Sequence, residues 1–257
     1  MEGRARLDYL LAETRRADNE RYLCALFAPA ERREPLLALA LLNRELARVP
    51  SLVSQPIAGL IRYQWWREAI GEAAAGSPRD QPVVEGLAAG LARGWLAAGD
   101  LEALVDAREP ELEEPPPGDP DALTTRLETT EGRAQELAFR CLGGTDPNQG
   151  RAARLVGTAL GLARAAGATR RVAADDADRY ALLDRATDRL LEARRLASRP
   201  PRDLVAAFLP GRLVAGDVRR LRHARVAPFA AAGGQGDPPR PPLTVLGLAW
   251  AIATRRY

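Results

Sequence analysis

The chain has 257 residues, enough for one large domain or two small ones, and its 46% apolar and 28% charged residues are typical of a globular protein. All 37 basic residues are arginine, which excludes Schiff-base, P-loop and other lysine-dependent chemistry. A single histidine, His223, and two distant cysteines leave little from which to build a zinc site or a Ser-His-Asp triad. The net charge of +3 comes from arginines interspersed with acids, which gives little support to nucleic-acid binding.

The start of the chain, MEGRARLDYLL, lacks the apolar core and the small-residue cleavage site of a secretory signal. The longest apolar run, residues 35–42, is too short to cross a bilayer. We therefore expect a cytoplasmic protein without a transmembrane segment. Any contact with the inner membrane is expected to be peripheral, at the membrane surface.

Alanine, leucine, arginine and glutamate dominate the sequence and no period-2 alternation is present, so helix is predicted throughout. The first predicted helix spans residues 29–50, where Pro50 is expected to end it, and the second spans 55–76. Two exposed loops, near 108–121 and 230–242, are proline-rich but too short to separate domains, so residues 1–257 are predicted to form one domain. Further helices are predicted over residues 83–98, 101–108, 122–142, 150–168, 177–197, 213–224 and 243–255.

The second predicted helix contains IRYQWWREAI, residues 61–70, in which two adjacent tryptophans lie between arginines. Because residues three and four apart share a helix face, Arg62, Trp65 and Trp66 form one stripe. Such a surface suits an anion with an apolar tail. The alternative is that both tryptophans are core residues and the arginines pair with acids such as Glu45 and Glu68, and the pattern alone favours this alternative.

A longer pattern covers residues 22–70, in which N-x-E-[IL]-A is followed by V-S-x-P-x-x-G-x-I-R-x-Q-W-W-R. This stretch resembles the N-terminal part of the squalene/phytoene synthase family, in particular a divergent branch that includes assembly factors of respiratory complex I. VGTALGLARAAG and AFLPGRLVAGDVRRLRHARVAPF, in the C-terminal half, resemble the family more weakly. The resemblance implies an all-α, single-domain, isoprenoid-synthase-like helical bundle with a central cavity. The matching residues are Asn43, Glu45, Leu46, Ala47, Val53, Ser54, Pro56, Gly59, Ile61, Arg62, Gln64, Trp65, Trp66 and Arg67.

Enzymes of this family ionise an allylic diphosphate with the help of magnesium, which carboxylates spaced i, i+4 hold on two facing helices. In this chain the first motif would lie at residues 46–50. The second motif would lie after the small-residue helix, where the charged residues are Arg164, Arg170 and Arg171. Neither position contains an aspartate. Asp184 and Asp188 have the required spacing and are the alternative metal ligands. Because arginines interleave with them, a salt-bridged surface is the better interpretation.

A family fold without its metal ligands predicts a pseudoenzyme that needs no cofactor. The resemblance to the assembly-factor branch implies that it supports complex I assembly. Its expected partner is a membrane-embedded complex I subunit or the insertion intermediate of that subunit, and not a nucleic acid. The C-terminal LTVLGLAWAIATRRY is a candidate docking element, because Leu246, Trp250 and Ala253 line one side of a helix that Arg255 and Arg256 end. Packing of this helix on the core is the alternative, and the pattern favours it.

Two other functions stay open. One is a prenyl diphosphate condensing transferase of the phytoene/squalene synthase type, which would bind Mg²⁺ at relocated carboxylates. The other is a prenyl-lipid-binding protein without turnover, since a guanidinium binds phosphate without a metal. The residues predicted to line the cavity or to bind phosphate are Arg44, Glu45, Arg48, Arg62, Gln64, Trp65, Trp66 and Arg67.

Overall fold

The computed structural model describes residues 3–168, 176–223 and 242–257. No strand occurs in these three ranges, and the secondary structure there is helical, which confirms the predicted all-α fold. The α-helices are α1 (Gly3–Ala17), α2 (Asn19–Ala25), α3 (Ala30–Leu52), α4 (Pro56–Ala74), α5 (Pro82–Leu91), α6 (Ala98–Asp106), α7 (Pro120–Leu127), α8 (Arg133–Cys141), α9 (Pro147–Gly167), α10 (Asp176–Leu196), α11 (Pro210–His223) and α12 (Pro242–Thr254).

Two predicted helices are interrupted in the structure. The helix predicted over 83–98 ends at Leu91, because the chain turns at Gly94 with φ 66° before α6 begins. The helix predicted over 122–142 is divided into α7 and α8 by a π-helical turn, Glu128–Gly132. The predicted loop near 108–121 contains a short 3₁₀ helix, Glu109–Leu112, and another 3₁₀ helix, Arg202–Ala207, precedes α11. Residues 230–241 of the second predicted loop lie outside the described residues.

The chain folds into two compact units. The first unit contains α1 to α6, the 3₁₀ helix Glu109–Leu112 and residues 140–143. Among the described residues, the second unit contains α7, the π-helical turn, most of α8, and α9 to α12. The predicted single domain over residues 1–257 stays a prediction.

In the first unit, α3 is the central helix. Every residue from 35 to 43 is buried, so this part of α3 faces other helices on all sides, as its continuous apolar run requires. Pro50 does not end α3, contrary to the sequence prediction, and the helix continues to Leu52. Because proline has no N–H, the carbonyl of Leu46 loses its intrahelical partner, and the Tyr63 hydroxyl from α4 donates to it over 3.2 Å.

In the second unit, α9 is the central helix, and small residues let its neighbours approach closely. A Cβ on Gly157 would lie 2.5 Å from the Cβ of Gln135 and still closer to the main-chain oxygen of Glu131, in the π-helical turn. The small-residue helix expected from VGTALGLARAAG therefore has a packing role. Helices α10 and α11 pack against α9 as well.

Both cysteines are buried and unbridged, and burial raises the pKa of Cys141 to about 12.

Within 3–168, 176–223 and 242–257, no helix is both long enough and apolar enough to span a bilayer.

Candidate functional site

Helix α4 presents one face to the core of its unit and the other to solvent. Pro56 occupies its first turn, where the missing N–H is no loss. Tyr63, Trp66 and Ile70 are buried at helical spacing. The opposite face is apolar as well as exposed, and we call it the α4 apolar face. It consists of Ile57, which is 64% exposed, Leu60, Ile61, which is 65% exposed, and Trp65, and Leu52 at the end of α3 is exposed too.

The two tryptophans have different environments. Trp66 is 7% exposed and belongs to the core, whereas Trp65 is 37% exposed and borders the α4 apolar face. Their rings meet edge to face, with centroids 5.0 Å apart. The guanidinium of Arg79 lies 5.1 Å from the Trp65 ring centroid and pairs with Glu68 and Glu72. Trp66 is therefore a core residue and Trp65 is not, while the role of this stripe in binding an anion stays a prediction.

Arg67 is held by two carboxylates. Its guanidinium pairs with Asp106 over 2.6 Å and also with Glu109, from the 3₁₀ helix that follows α6. Partial burial opposes the charge, but these bonds raise the pKa of Arg67 above its ordinary value. Arg67 therefore already has two anionic partners within the first unit.

A cleft of about 450 Å³ lies along this face. Its apolar floor is formed by Leu60, Ile61 and Trp65, and its polar edge by Gln64, Arg67, Glu68 and Glu109. Gln64 donates to Glu68 over 3.1 Å. Its lining contains two carboxylates and one guanidinium, so the cleft suits an apolar or basic ligand better than an anion.

Of the other predicted cavity residues, Gln64 and Trp65 line this cleft with Arg67, whereas Arg44, Glu45, Arg48, Arg62 and Trp66 are not among its lining residues. On α3, Arg48 pairs with Glu45 of the same helix over 3.3 Å. Arg44, beside them, has a buried Nε without a hydrogen-bond partner among the described residues. Arg62 is exposed on α4 and forms no ion pair with any residue that the structure describes.

A buried polar network below α4 was not predicted. Arg108 donates to the Asn43 side chain over 2.9 Å and to Glu111 over 3.0 Å. The Tyr63 hydroxyl lies 3.3 Å from the main-chain oxygen of Arg108 as well as near that of Leu46. Asn43 and Tyr63 are fully buried, so these bonds tie α3 and α4 to the segment after α6. Asn43 begins the N-x-E-[IL]-A pattern, which was the one signal of this network in the sequence.

The residues at the two expected motif positions do not provide the carboxylates of the family's magnesium sites. At the position of the first motif, Leu46 and Val49 are core residues and Arg48 is a cation. At the second, Arg164 lies 3.9 Å from Glu131, while Arg170 and Arg171 fall outside the described residues. In the described ranges no group of three or more His, Cys, Asp or Glu residues could hold a metal ion. Magnesium requires several oxygen ligands, which these positions do not offer.

Asp184 and Asp188 both lie on the exposed side of α10. Asp184 pairs with Arg222 of α11. Between the two aspartates, Arg185 bonds to Asp121 over 2.7 Å and lowers the pKa of that carboxyl. Arg189 pairs with Glu128 over 3.1 Å. The region is thus a network of surface ion pairs.

Comparison with known proteins agrees with this architecture. Two solved structures share the fold: squalene synthase HpnC from Alicyclobacillus acidocaldarius (TM-score 0.70, 18% identity, 85% of this chain and 94% of that chain) and a dehydrosqualene synthase in complex with ligand (TM-score 0.71, 11% identity, 97% and 96%). The fold is therefore that of the helical isoprenoid synthases. A family model described as squalene/phytoene synthase matches residues 14–180, and the chain belongs to this family.

Part of the chain is also similar to curated proteins. The chain is 34% identical over 154 residues to proteins of Rattus norvegicus and Homo sapiens named NADH dehydrogenase (ubiquinone) complex I, assembly factor 6. The match covers 60% of this chain and 46% of each relative, so the chain spans about half the length of the curated relatives it matches.

Proposed function

We propose that this protein is a non-catalytic member of the squalene/phytoene synthase family that supports the assembly of respiratory complex I. The names of its relatives support this role. The chemistry of the residues supports it as well, because a diphosphate leaving group requires charge neutralisation and the metal-binding carboxylates are replaced by apolar residues and arginine.

The observation that carries the proposal is the α4 apolar face, which lies within the segment that the family model matches. Exposed aliphatic side chains that are contiguous on one helix are costly in water and mark interaction surfaces. Ile57 and Ile61 are each about two-thirds exposed, so they contribute little to the core of their own unit. A binding partner would remove them from water.

The expected occupant of this face is an apolar helix of a membrane-embedded complex I subunit before its assembly is complete. Near the cleft, the carboxylates of Glu68, Glu72, Asp106 and Glu109 outnumber the guanidiniums of Arg67 and Arg79. Membrane helices carry Lys and Arg at their cytoplasmic ends, which complements an apolar face with an acidic edge. The protein would then act at the cytoplasmic face of the inner membrane.

The experiment replaces apolar surface without disturbing the core. An Ile57→Ser/Ile61→Ser variant is introduced into cells that lack the wild-type gene, and assembled complex I is measured on native gels together with its NADH oxidation. We expect both to fall toward the level of the deletion strain. Leu191→Ser is the matched control, because Leu191 is a 46% exposed leucine of the second unit. Wild-type levels of complex I with the double variant would contradict the proposal.

A second candidate function is the binding of a prenyl diphosphate without turnover. It is favoured by Arg44, whose buried Nε lacks a partner in the described part of the chain. A buried guanidinium nitrogen without an acceptor is costly, and a bound phosphate would satisfy it. Farnesyl diphosphate would then raise the melting temperature without added metal, and an Arg44→Gln variant would lose this rise.

A further inference from the structure

Helix α12 has an exposed apolar stripe of its own. Leu246 is 66% exposed and Trp250 52% exposed, while Leu248 and Ala251 on the other side of the helix are fully buried. Ala253 continues the exposed side. One side of α12 therefore packs within the second unit and the other faces solvent, and the docking role predicted for this segment stays a prediction. An exposed tryptophan beside leucine is typical of residues that enter a membrane interface.

Four arginines border a cleft of about 660 Å³ at the C-terminal end of this stripe. Arg199 follows α10, Arg202 begins the 3₁₀ helix, and Arg255 and Arg256 follow α12. The remaining lining residues, Ala253 and Thr254, are uncharged. Within the described ranges none of the four arginines forms an ion pair, although Asp203 is adjacent to Arg202 in the chain. Four guanidiniums line this cleft and no carboxylate is among its lining residues, so the cleft suits an anionic ligand.

One of the four arginines, Arg255, has a backbone conformation that arginine disfavours. Arg255 has φ 54°, in the left-handed region, where helices usually place glycine. The turn is closed by main-chain bonds from Arg255 to Ile252 over 3.2 Å and from Arg256 to Ala251 over 3.0 Å. Beyond the turn, Tyr257 is buried, and its main-chain oxygen accepts a 2.6 Å bond from Arg194. The two arginines are therefore fixed between a helix and a buried tyrosine.

We propose that α12 and these four arginines form a docking site for an anionic phospholipid surface. The headgroup phosphates would occupy the arginine-lined cleft, and Leu246 and Trp250 would enter the adjoining apolar layer. Charge complementarity selects this occupant, because an apolar stripe that ends in four arginines without ion pairs in the described chain matches a bilayer with negative headgroups. The proposal does not depend on the role in complex I assembly.

The alternative is structural, since arginines near a helix C-terminus interact favourably with the helix dipole. The two roles predict different results for Arg255→Gly. Glycine is the preferred residue for this backbone conformation, so the substitution should leave the melting temperature unchanged or raise it. Binding to anionic vesicles should nevertheless fall about fivefold, the contribution of one arginine near a membrane surface.

The test is sedimentation of the full chain with phosphatidylcholine vesicles, with and without phosphatidylglycerol. We expect binding only where phosphatidylglycerol is present, and an Arg199→Gln/Arg202→Gln variant should bind roughly 30-fold less tightly. Arg15→Gln/Arg219→Gln is the matched control, because it removes the same charge at exposed positions elsewhere and should retain near-wild-type binding. Inorganic phosphate should displace the protein poorly, because it has no apolar layer for Trp250.

Three results would overturn the proposal. The first is that the wild-type protein does not bind phosphatidylglycerol vesicles. The second is that the control variant loses as much affinity as the cleft variant, which would indicate a general effect of net charge. The third is that Arg255→Gly lowers the melting temperature and leaves vesicle binding intact, which would make the cluster structural. Trp250→Ala should weaken vesicle binding as well, and unchanged binding would contradict the apolar part of the site.

Discussion

At the scale of single residues, the side chain of Tyr63 compensates for a helical hydrogen bond that Pro50 removes from α3. Pro50 lies inside α3, where it leaves the Leu46 carbonyl without a helical partner. The hydroxyl of Tyr63 reaches this carbonyl from α4, and burial raises the pKa of that hydroxyl, so it remains a donor at neutral pH. Tyr63, at the unspecified position of the I-R-x-Q-W-W-R pattern, therefore stabilises a helix interior that Pro50 would otherwise weaken.

Replacing Tyr63 with phenylalanine tests this compensation. We expect the free energy of unfolding, measured by urea denaturation, to fall by about 1–2 kcal/mol, because a buried carbonyl loses its donor. In a Pro50→Ala background the loss should be smaller, since the restored N–H of residue 50 satisfies Leu46. The main-chain oxygen of Arg108 would still lose its contact, so part of the loss should persist. Equal losses in both backgrounds would show that Tyr63 and Pro50 act independently.

At the scale of elements, glycine has two different roles in the helices of the second unit. Gly157 of α9 allows the π-helical turn Glu128–Gly132 to approach, whereas Gly216 of α11 has no atom within 4 Å of the position of an added Cβ. Substitution with alanine favours a helix in both cases, but only at Gly157 does it collide with a neighbour.

The two positions therefore predict opposite effects of the same substitution. Gly157→Ala should lower the free energy of unfolding by about 1–3 kcal/mol, because the added methyl group displaces the turn at Glu131. Gly216→Ala should raise it by up to about 1 kcal/mol through helix propensity alone. Thermal unfolding followed by circular dichroism measures both variants. A stabilising effect of Gly157→Ala would contradict the close approach of the turn to α9.

At the scale of the whole molecule, the fold of a synthase family is retained while its metal chemistry is not supported. Two synthase structures share the fold with TM-scores of 0.70 and 0.71. The positions of the family's carboxylates instead hold core residues and paired arginines in the described chain. A helical fold does not require those carboxylates, because its stability comes from buried apolar surface.

The expected biochemical result is therefore the absence of metal-dependent turnover. Purified protein is incubated with farnesyl or geranylgeranyl diphosphate, with and without Mg²⁺, and released diphosphate is measured. We expect no release that depends on Mg²⁺, and Asp184→Ala and Asp188→Ala should behave like wild type because both residues lie on an ion-paired surface. Metal-dependent release that these variants abolish would show that relocated carboxylates act and would refute the non-catalytic proposal.

Much of the fold follows from local patterns in the sequence. Helices at or near 29–50, 55–76 and 150–168 were predicted because apolar spacing, prolines and glycines act within a few residues. The helix boundaries that were predicted wrongly depend on contacts with neighbouring helices. Pro50 lies inside α3 where the Tyr63 hydroxyl bonds to the Leu46 carbonyl, and the predicted helix over 122–142 is divided by a π-helical turn that packs against α9.

The sequence by itself determined the all-α class, the family and the absence of aspartate at both expected metal positions, since these depend on residue identity and short-range periodicity. Only the tertiary structure decided that Trp66 is buried while Trp65 is partly exposed, because neighbouring helices select which face of α4 is covered. The tertiary structure also placed Arg199 and Arg202 beside Arg255 and Arg256. Residues about 50 positions apart become neighbours only when α10 and α12 belong to the same packed unit.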